Sequence, residues 1–186
     1  HADVDLYELG KHIGRKFLVA GQGGFNLTNT AEGTELLRRY APAGLLDEAL
    51  TAFGPLQLRE WLKELGIGTF IGTSGRVFPM KGIKPIDVLS RIREHAVRRG
   101  VRIHVEHAFT GFDEARRPIV ENHNGPFTIQ ADRVIFALGG ASWPVTGSTA
   151  IWPSLFNAIG IATRPFQASN CGVMIPWPEQ IALAHA

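Results

Sequence analysis

The chain contains 186 residues, of which 45% are hydrophobic and 19% are charged, with a net charge of +2. This balance is typical of a globular protein and excludes a disordered tail, a collagen repeat and a disulfide-stapled miniprotein. Since no apolar run approaches the ~20 residues that a bilayer-spanning helix needs, we expect no membrane. The single cysteine, Cys171, and a polar start without a signal-peptide pattern indicate a cytoplasmic protein.

The first half of the chain predicts short elements of mixed type. Residues 4–8 alternate apolar and polar side chains, which indicates a strand that ends at Glu8. The glycine-rich stretch 10–34 predicts little helix, because glycine disfavours it. The patterns that follow predict helices at 34–40, 45–53 and 55–65 and then a hairpin of 69–71 with 76–78.

The second half opens with the strongest helical pattern of the chain. Residues 85–99 place Ile86, Leu89 and Ile92 at helical spacing, and Gly100 suits the C-terminal cap. The elements predicted after it are a strand at 101–106, an antiparallel meander at 109–113, 119–121 and 127–130, a buried strand at 133–138, a helix at 152–159 and a strand at 172–175. This order predicts a mixed α/β fold.

Glu8 is the first candidate site residue. In a dinucleotide-binding βαβ unit the second strand ends in an acid that hydrogen-bonds a ribose hydroxyl. The matching glycine fingerprint should lie about 20 residues upstream, which here falls before residue 1. Taken alone, an acid at the end of a strand is more often a surface residue.

The second candidate is the segment 14–29. Its adjacent cations Arg15 and Lys16, its glycines and its amides supply what a pyrophosphate or an electron-rich ring needs. A flexible surface loop is the alternative interpretation.

The third candidate is the segment 131–148, where a predicted strand runs into Gly139-Gly140, as at the ligand-binding edge of an α/β sheet. An ordinary strand and turn is the alternative there.

Together these segments resemble the aminoacetone oxidase-like, FAD-dependent oxidoreductases. The resemblance rests on the Gly-Arg-Lys and Asn-Leu-Thr-Asn pattern within 14–29, on 75–79, on the Ala-x-Gly-Gly-x-Ser pattern of 137–148, and on 170–172. It covers nearly the whole chain. The family's N-terminal glycine fingerprint, with its strand and helix, and its C-terminal region have no counterpart, so the resemblance implies an internal fragment.

The resemblance implies that the cofactor is FAD and that three groups of residues bind it. Glu8 would bind the adenosine ribose. The residues along the pyrophosphate and flavin would be Arg15, Lys16, Gly21, Gly24, Asn26 and Thr28. Those on the adenine side would be Ala137, Gly139 and Gly140. The resemblance names no catalytic acid or base.

We therefore predict a partial Rossmann-like FAD-binding domain with a small antiparallel β insertion. It would occupy residues 1–150, with a helical, substrate-side insertion at 34–84 and the meander at 109–130. Residues 151–186 would begin a second, substrate domain. The expected activity is flavin-dependent redox chemistry on a small molecule, such as a small amine.

Two other functions stay open at this stage. The arginines of 91–99 give one helix a basic face, as in an RNA-binding module related to tRNA-modifying flavoproteins, although the net charge makes nucleic acid an unexpected partner. Alternatively, the chain is an inactive folding unit that forms a homo-oligomer through exposed edges.

The remaining polar residues indicate no further site. His104 and His107, three apart on a predicted strand, should point to opposite faces and share no metal. Ser74 and Ser148 lack a hydrolase elbow, and Cys171 has no nearby histidine in the sequence and is expected to be buried.

Overall fold

The computed structural model describes residues 2–19, 25–142 and 144–167. The strands are β1 (Asp5–Tyr7), β2 (Thr28–Asn29), β3 (Thr69–Ile71), β4 (Arg76–Pro79), β5 (Arg102–His104), β6 (Ala108–Phe112), β7 (Pro118–Asn122) and β8 (Gly125–Thr128). The helices are α1 (Arg15–Val19), α2 (Gly33–Leu37), α3 (Asp47–Ala52), α4 (Pro55–Glu64), α5 (Pro85–Arg98) and α6 (Trp152–Ala158). A short 3₁₀ helix spans Pro144–Thr146.

The strands form three small sheets. β1 and β5 are parallel, with Leu6 opposite Ile103. A parallel pair requires a crossover connection, and here α5 leads into β5. The other two sheets are antiparallel, in the orders β2–β4–β3 and β6–β7–β8. The predicted α/β class, hairpin and meander are thus confirmed.

The two longest helices have the ends that their sequences predict. Pro85 opens α5, where the Asp87 carboxylate accepts the Lys84 backbone N–H at 2.8 Å. Gly100 follows α5 with a φ of +88°, a conformation that glycine adopts at little cost. At the start of α4, the Gln57 side chain accepts the Gly54 N–H at 3.0 Å.

A small apolar core joins α1, α4 and α5. Its buried members are Phe25, Leu62, Ile67 and Val88. Phe17 of α1 packs edge-on against Phe25, with ring centroids 5.4 Å apart. This packing holds α1, which carries Arg15 and Lys16, against the rest of the chain.

A second apolar cluster consists of phenylalanines and joins the meander to α6. Phe109 and Phe112 of β6 contact both Phe136 and Phe156. The rings of Phe136 and Phe156 lie 5.0 Å apart. The meander is thereby tied to the segment that leads into Gly139-Gly140.

The prediction of a buried strand at 133–138 is wrong. The segment has no strand pairing, and the side chains of Val134 and Ile135 are 43% and 92% exposed. A strand needs hydrogen-bonded neighbours, and no described strand pairs with this segment. The apolar run therefore has the composition of a buried strand without the partners that would bury it.

The stretch 10–34 contains more helix than its glycines predict. Leu18 donates its backbone N–H to the Gly14 carbonyl at 3.1 Å, which closes the turn of α1, and α2 begins at Gly33. The predicted strand at 172–175 lies outside the described residues, and the proposed domain division stays a prediction. No helix in the described ranges has the length and apolar character needed to cross a membrane.

Candidate functional site

Glu8 lies at the carboxyl end of the parallel β1–β5 pair. Its backbone N–H donates to the His104 carbonyl at 2.8 Å, and its Oε1 accepts the Gly10 N–H at 2.7 Å. Oε2 has no hydrogen-bond partner among the described residues. The half-buried carboxylate is thus fixed through one oxygen, and the other has no partner in the described ranges. Ligands of α/β sheets bind at this end of the strands.

Lys16 brings two of the sequence-predicted segments together. Its Nζ donates to the Ser142 Oγ at 2.8 Å and to the Ser142 carbonyl at 3.2 Å. Arg15 is exposed beside it and makes no hydrogen bond or ion pair within the described part of the chain. The structure therefore places the Lys16 cation of the 14–29 segment next to the 137–148 segment, and Arg15 precedes it in the chain.

The Gly139-Gly140 turn is anchored on one side and open on the other. The Trp152 indole donates to the Gly139 carbonyl at 3.0 Å, and the Ser148 hydroxyl donates to the Gly140 carbonyl. A Cβ built at either glycine would meet nothing within 4 Å. The backbone is therefore accessible to a ligand without an intervening side chain. Ala137, two residues earlier, is also exposed.

Thr28 belongs to β2, in a different sheet from the β1–β5 pair that Glu8 follows, and Asn26 lies two residues before Thr28. Thr28 pairs with Val77 of β4, and Leu27 donates its N–H to the Val77 carbonyl at 2.7 Å. Asn26 is exposed beside the buried Phe25. Among the described residues no contact joins these two side chains to Glu8 or to the glycine turn. The predicted Gly21 and Gly24 lie outside the described residues.

A charged and aromatic cluster beside Glu8 escapes sequence analysis. Asp5 accepts two hydrogen bonds from Arg102, at 2.8 and 2.7 Å, and one contact of 2.7 Å from His104 Nε2. These hydrogen bonds, first from Arg102 and then from His104, hold the pKa of Asp5 far below its usual range. Tyr7 stacks on His104 with centroids 4.7 Å apart, and burial raises the pKa of its hydroxyl.

The only sequence signal for this cluster was the alternation within each strand. It puts Asp5 and Tyr7 on one face, but it says nothing about which strand is the neighbour. The pairing of β1 with β5 supplies that information.

The prediction that His104 and His107 point to opposite faces is wrong. Their rings lie 5.7 Å apart, because the chain leaves β5 at His104 and turns at Glu106, which has a φ of +58°. His107 Nδ1 contacts the Val105 carbonyl at 2.6 Å, and its Nε2 contacts Asn122 Nδ2 at 3.0 Å. Both ring nitrogens are thereby occupied. The described residues contain no group of three or more His, Cys, Asp or Glu that could hold a metal.

The parallel β1–β5 pair, with α5 leading into β5 and an acid after the carboxyl end of β1, is the arrangement of a Rossmann-type domain. The chain belongs to the family described as HI0933-like protein Rossmann domain, whose model matches residues 1–174. The match confirms the resemblance to Rossmann-type flavoproteins that the motifs predict.

The chain is also similar to a curated enzyme. It is 27% identical over 164 residues to a 3-dehydro-bile acid delta(4,6)-reductase of Clostridium scindens. The matched region is 88% of this chain and 39% of that reductase. The chain thus corresponds to well under half of the length of this relative.

Proposed function

We propose that this chain binds the adenosine diphosphate half of FAD within a flavin-dependent oxidoreductase. The observation that carries the proposal is the Lys16–Ser142 junction, which holds the Lys16 cation at Ser142, two residues after the open Gly139-Gly140 turn. Membership of a Rossmann-domain family and similarity to a reductase support the same conclusion.

The residues present fit the chemical demands of this cofactor. A ribose diol needs a carboxylate acceptor, and Glu8 Oε2 is free for it within the described residues. A pyrophosphate needs cations, which Arg15 and Lys16 supply, and the open backbone of Gly139-Gly140 allows close approach on the adenine side. Asn26 and Thr28, with Gly21 and Gly24, would lie towards the flavin, and Ala137 towards the adenine.

In such an enzyme the flavin supplies the electron transfer, while the protein supplies position and electrostatics. Glu8 would orient the ribose through Oε2, because its Oε1 is held by the Gly10 N–H. Lys16, held by Ser142, would keep its positive charge at a fixed place beside the turn. The substrate that the sequence predicts is a small amine. The name of the relative adds a 3-dehydro-bile acid as a second compound to assay.

The experiment that tests the proposal measures retained flavin. The visible absorbance of the chain is recorded before and after FAD is added and the protein is desalted. Gly140→Asp places a side chain and a negative charge in the open face, so we expect FAD affinity to fall at least about tenfold. Gly82→Asp is the control, because its site is equally open and its φ of +94° makes the change harsher for folding.

A second pair of variants tests whether FAD affinity depends on the position of a cation or only on the net charge of the chain. Lys16→Met removes the cation bonded to Ser142, and we expect FAD affinity to fall about tenfold. Lys11→Met removes an exposed cation that has no side-chain partner in the described part of the chain, and it should leave affinity unchanged. Failure to bind FAD, or equal losses in both members of a pair, would contradict the proposal.

The RNA-binding alternative gains little from the structure. Of the arginines in 91–99, Arg91 donates to the Gly66 carbonyl and Arg98 lies 4.0 Å from Glu94 on the same helix. Both are therefore partly engaged within the chain. RNA binding that weakens steeply with added salt would revive this alternative, because phosphate contacts release counterions.

A further inference from the structure

A cavity of about 390 Å³ lies between α4 and the β3–β4 hairpin, on elements that carry none of the proposed FAD ligands. This volume is within the range of small-molecule sites. The side chains that line it include Leu56, Arg59, Glu60, Lys63, Thr69 and Met80. The lining thus combines apolar groups with two cations and one carboxylate.

Arg59 contributes an incompletely satisfied charge to this cavity. Its Nε is buried and has no hydrogen-bond partner among the described residues. No described carboxylate forms an ion pair with Arg59 or with Lys63, which follows one helical turn later. Because burial removes water from part of the guanidinium, its charge is poorly compensated within the chain. Arg59 also lines the cavity, so a counter-charge can approach its guanidinium group from there.

We propose that this cavity binds an organic carboxylate. The planar guanidinium fork of Arg59 matches the two oxygens of a carboxylate, and Lys63 adds a second positive charge. The Thr69 hydroxyl is a further donor on the opposite wall. Leu56 and Met80, which are 43% and 49% exposed, offer apolar surface to the hydrocarbon part of the ligand. This apolar surface favours an organic anion over inorganic phosphate.

Glu60 makes the proposal sharply testable, since it lines the same cavity with the opposite charge. Within the described residues its carboxylate has no ion-pair partner. It therefore opposes a carboxylate ligand while Arg59 attracts it. Arg59 and Glu60 are adjacent on α4 and carry opposite charges. Neutralising Arg59 should lower the affinity for a carboxylate, and neutralising Glu60 should raise it.

The experiment titrates benzoate into the chain and follows the methyl NMR signals of Leu56 and Met80. Benzamide, the neutral analogue of the same shape, is the matched control ligand. We expect benzoate alone to shift these signals. Arg59→Gln should weaken benzoate binding about tenfold or more, because a charge-assisted contact is lost. Glu60→Gln should strengthen it.

Arg93→Gln is the control for net charge, because Arg93 is exposed on α5 and has no partner in the described ranges. It should leave the affinity for benzoate unchanged. Equal binding of benzamide, an unchanged affinity in Arg59→Gln, or displacement of benzoate by inorganic phosphate at equal concentration would each overturn the proposal. The readout needs no flavin, so it is independent of the proposed FAD site.

Discussion

Gly14 is the residue whose replacement tests how α1 is held in place. Its φ is +70°, and a Cβ at this position would lie 2.8 Å from both terminal methyl carbons of Leu89 on α5. An L-residue in this backbone conformation costs roughly 1–2 kcal/mol, and inserting a carbon into a packed contact costs roughly 1–3 kcal/mol. We therefore expect Gly14→Ala to lower the free energy of unfolding by about 2–5 kcal/mol.

The two contributions can be separated with a double-mutant cycle. Leu89→Ala removes the methyl carbons that the new Cβ would meet, so in that background Gly14→Ala should cost only the backbone part, roughly 1–2 kcal/mol. Gly82→Ala is the independent control, because its φ is +94° and its Cβ would meet nothing within 4 Å. Urea unfolding followed by circular dichroism measures all four variants.

The same variant also connects packing with the proposed site. Arg15 and Lys16 follow Gly14 directly, so a displaced α1 should weaken the Lys16–Ser142 bonds and lower FAD retention. Two results would show that the Leu89 side chain moves aside at no cost in free energy. One is an equal loss of stability in Gly14→Ala and Gly82→Ala, and the other is an effect of Gly14→Ala that is the same with and without Leu89→Ala. The tight contact between α1 and α5 would then not hold α1 in place.

Two further predictions concern charge and exposed apolar surface. Because its hydrogen-bonded partners lower the folded-state pKa of Asp5, its carboxylate stabilises the fold above pH ~4, the usual unfolded value, and this stabilisation is lost as the pH falls further. Asp5→Asn should therefore lower the urea midpoint more at pH 7 than at pH 2, where only part of the stabilisation remains, whereas Asp3→Asn, whose side chain is 94% exposed, should change little at either pH. We expect the chain to self-associate through Ile135, which is 92% exposed, so light scattering should give a mass above that of a monomer and Ile135→Lys should lower it. Val97→Lys, at a 51% exposed site on α5, is the control and should leave the mass unchanged. If Ile135→Lys has the same mass as the unsubstituted chain, the segment around Ile135 forms no interface between copies.

Local signals in the sequence determined most of the elements. Helices α4 and α5 follow from apolar spacing, from Pro55 and Pro85 at their starts and from Gly66 and Gly100 after their ends. The β3–β4 hairpin and the meander follow from short apolar runs between turn residues. Each of these patterns spans only a few residues, so backbone preference and side-chain periodicity act without distant partners. The motifs of 14–29 and 137–148 likewise carried the family resemblance.

Contacts between distant segments were decided only in the tertiary structure. The segment 133–138 has strand composition, but strand pairing depends on a neighbour, and no described strand pairs with it. The Lys16–Ser142 bonds and the Asp5–Arg102 pair join residues far apart in the chain. Hydrogen bonds of this kind depend on where whole elements pack, and side-chain periodicity within one element contains no information about its neighbours. The sequence therefore supplied the candidate ligands, whereas packing determined which of them lie side by side.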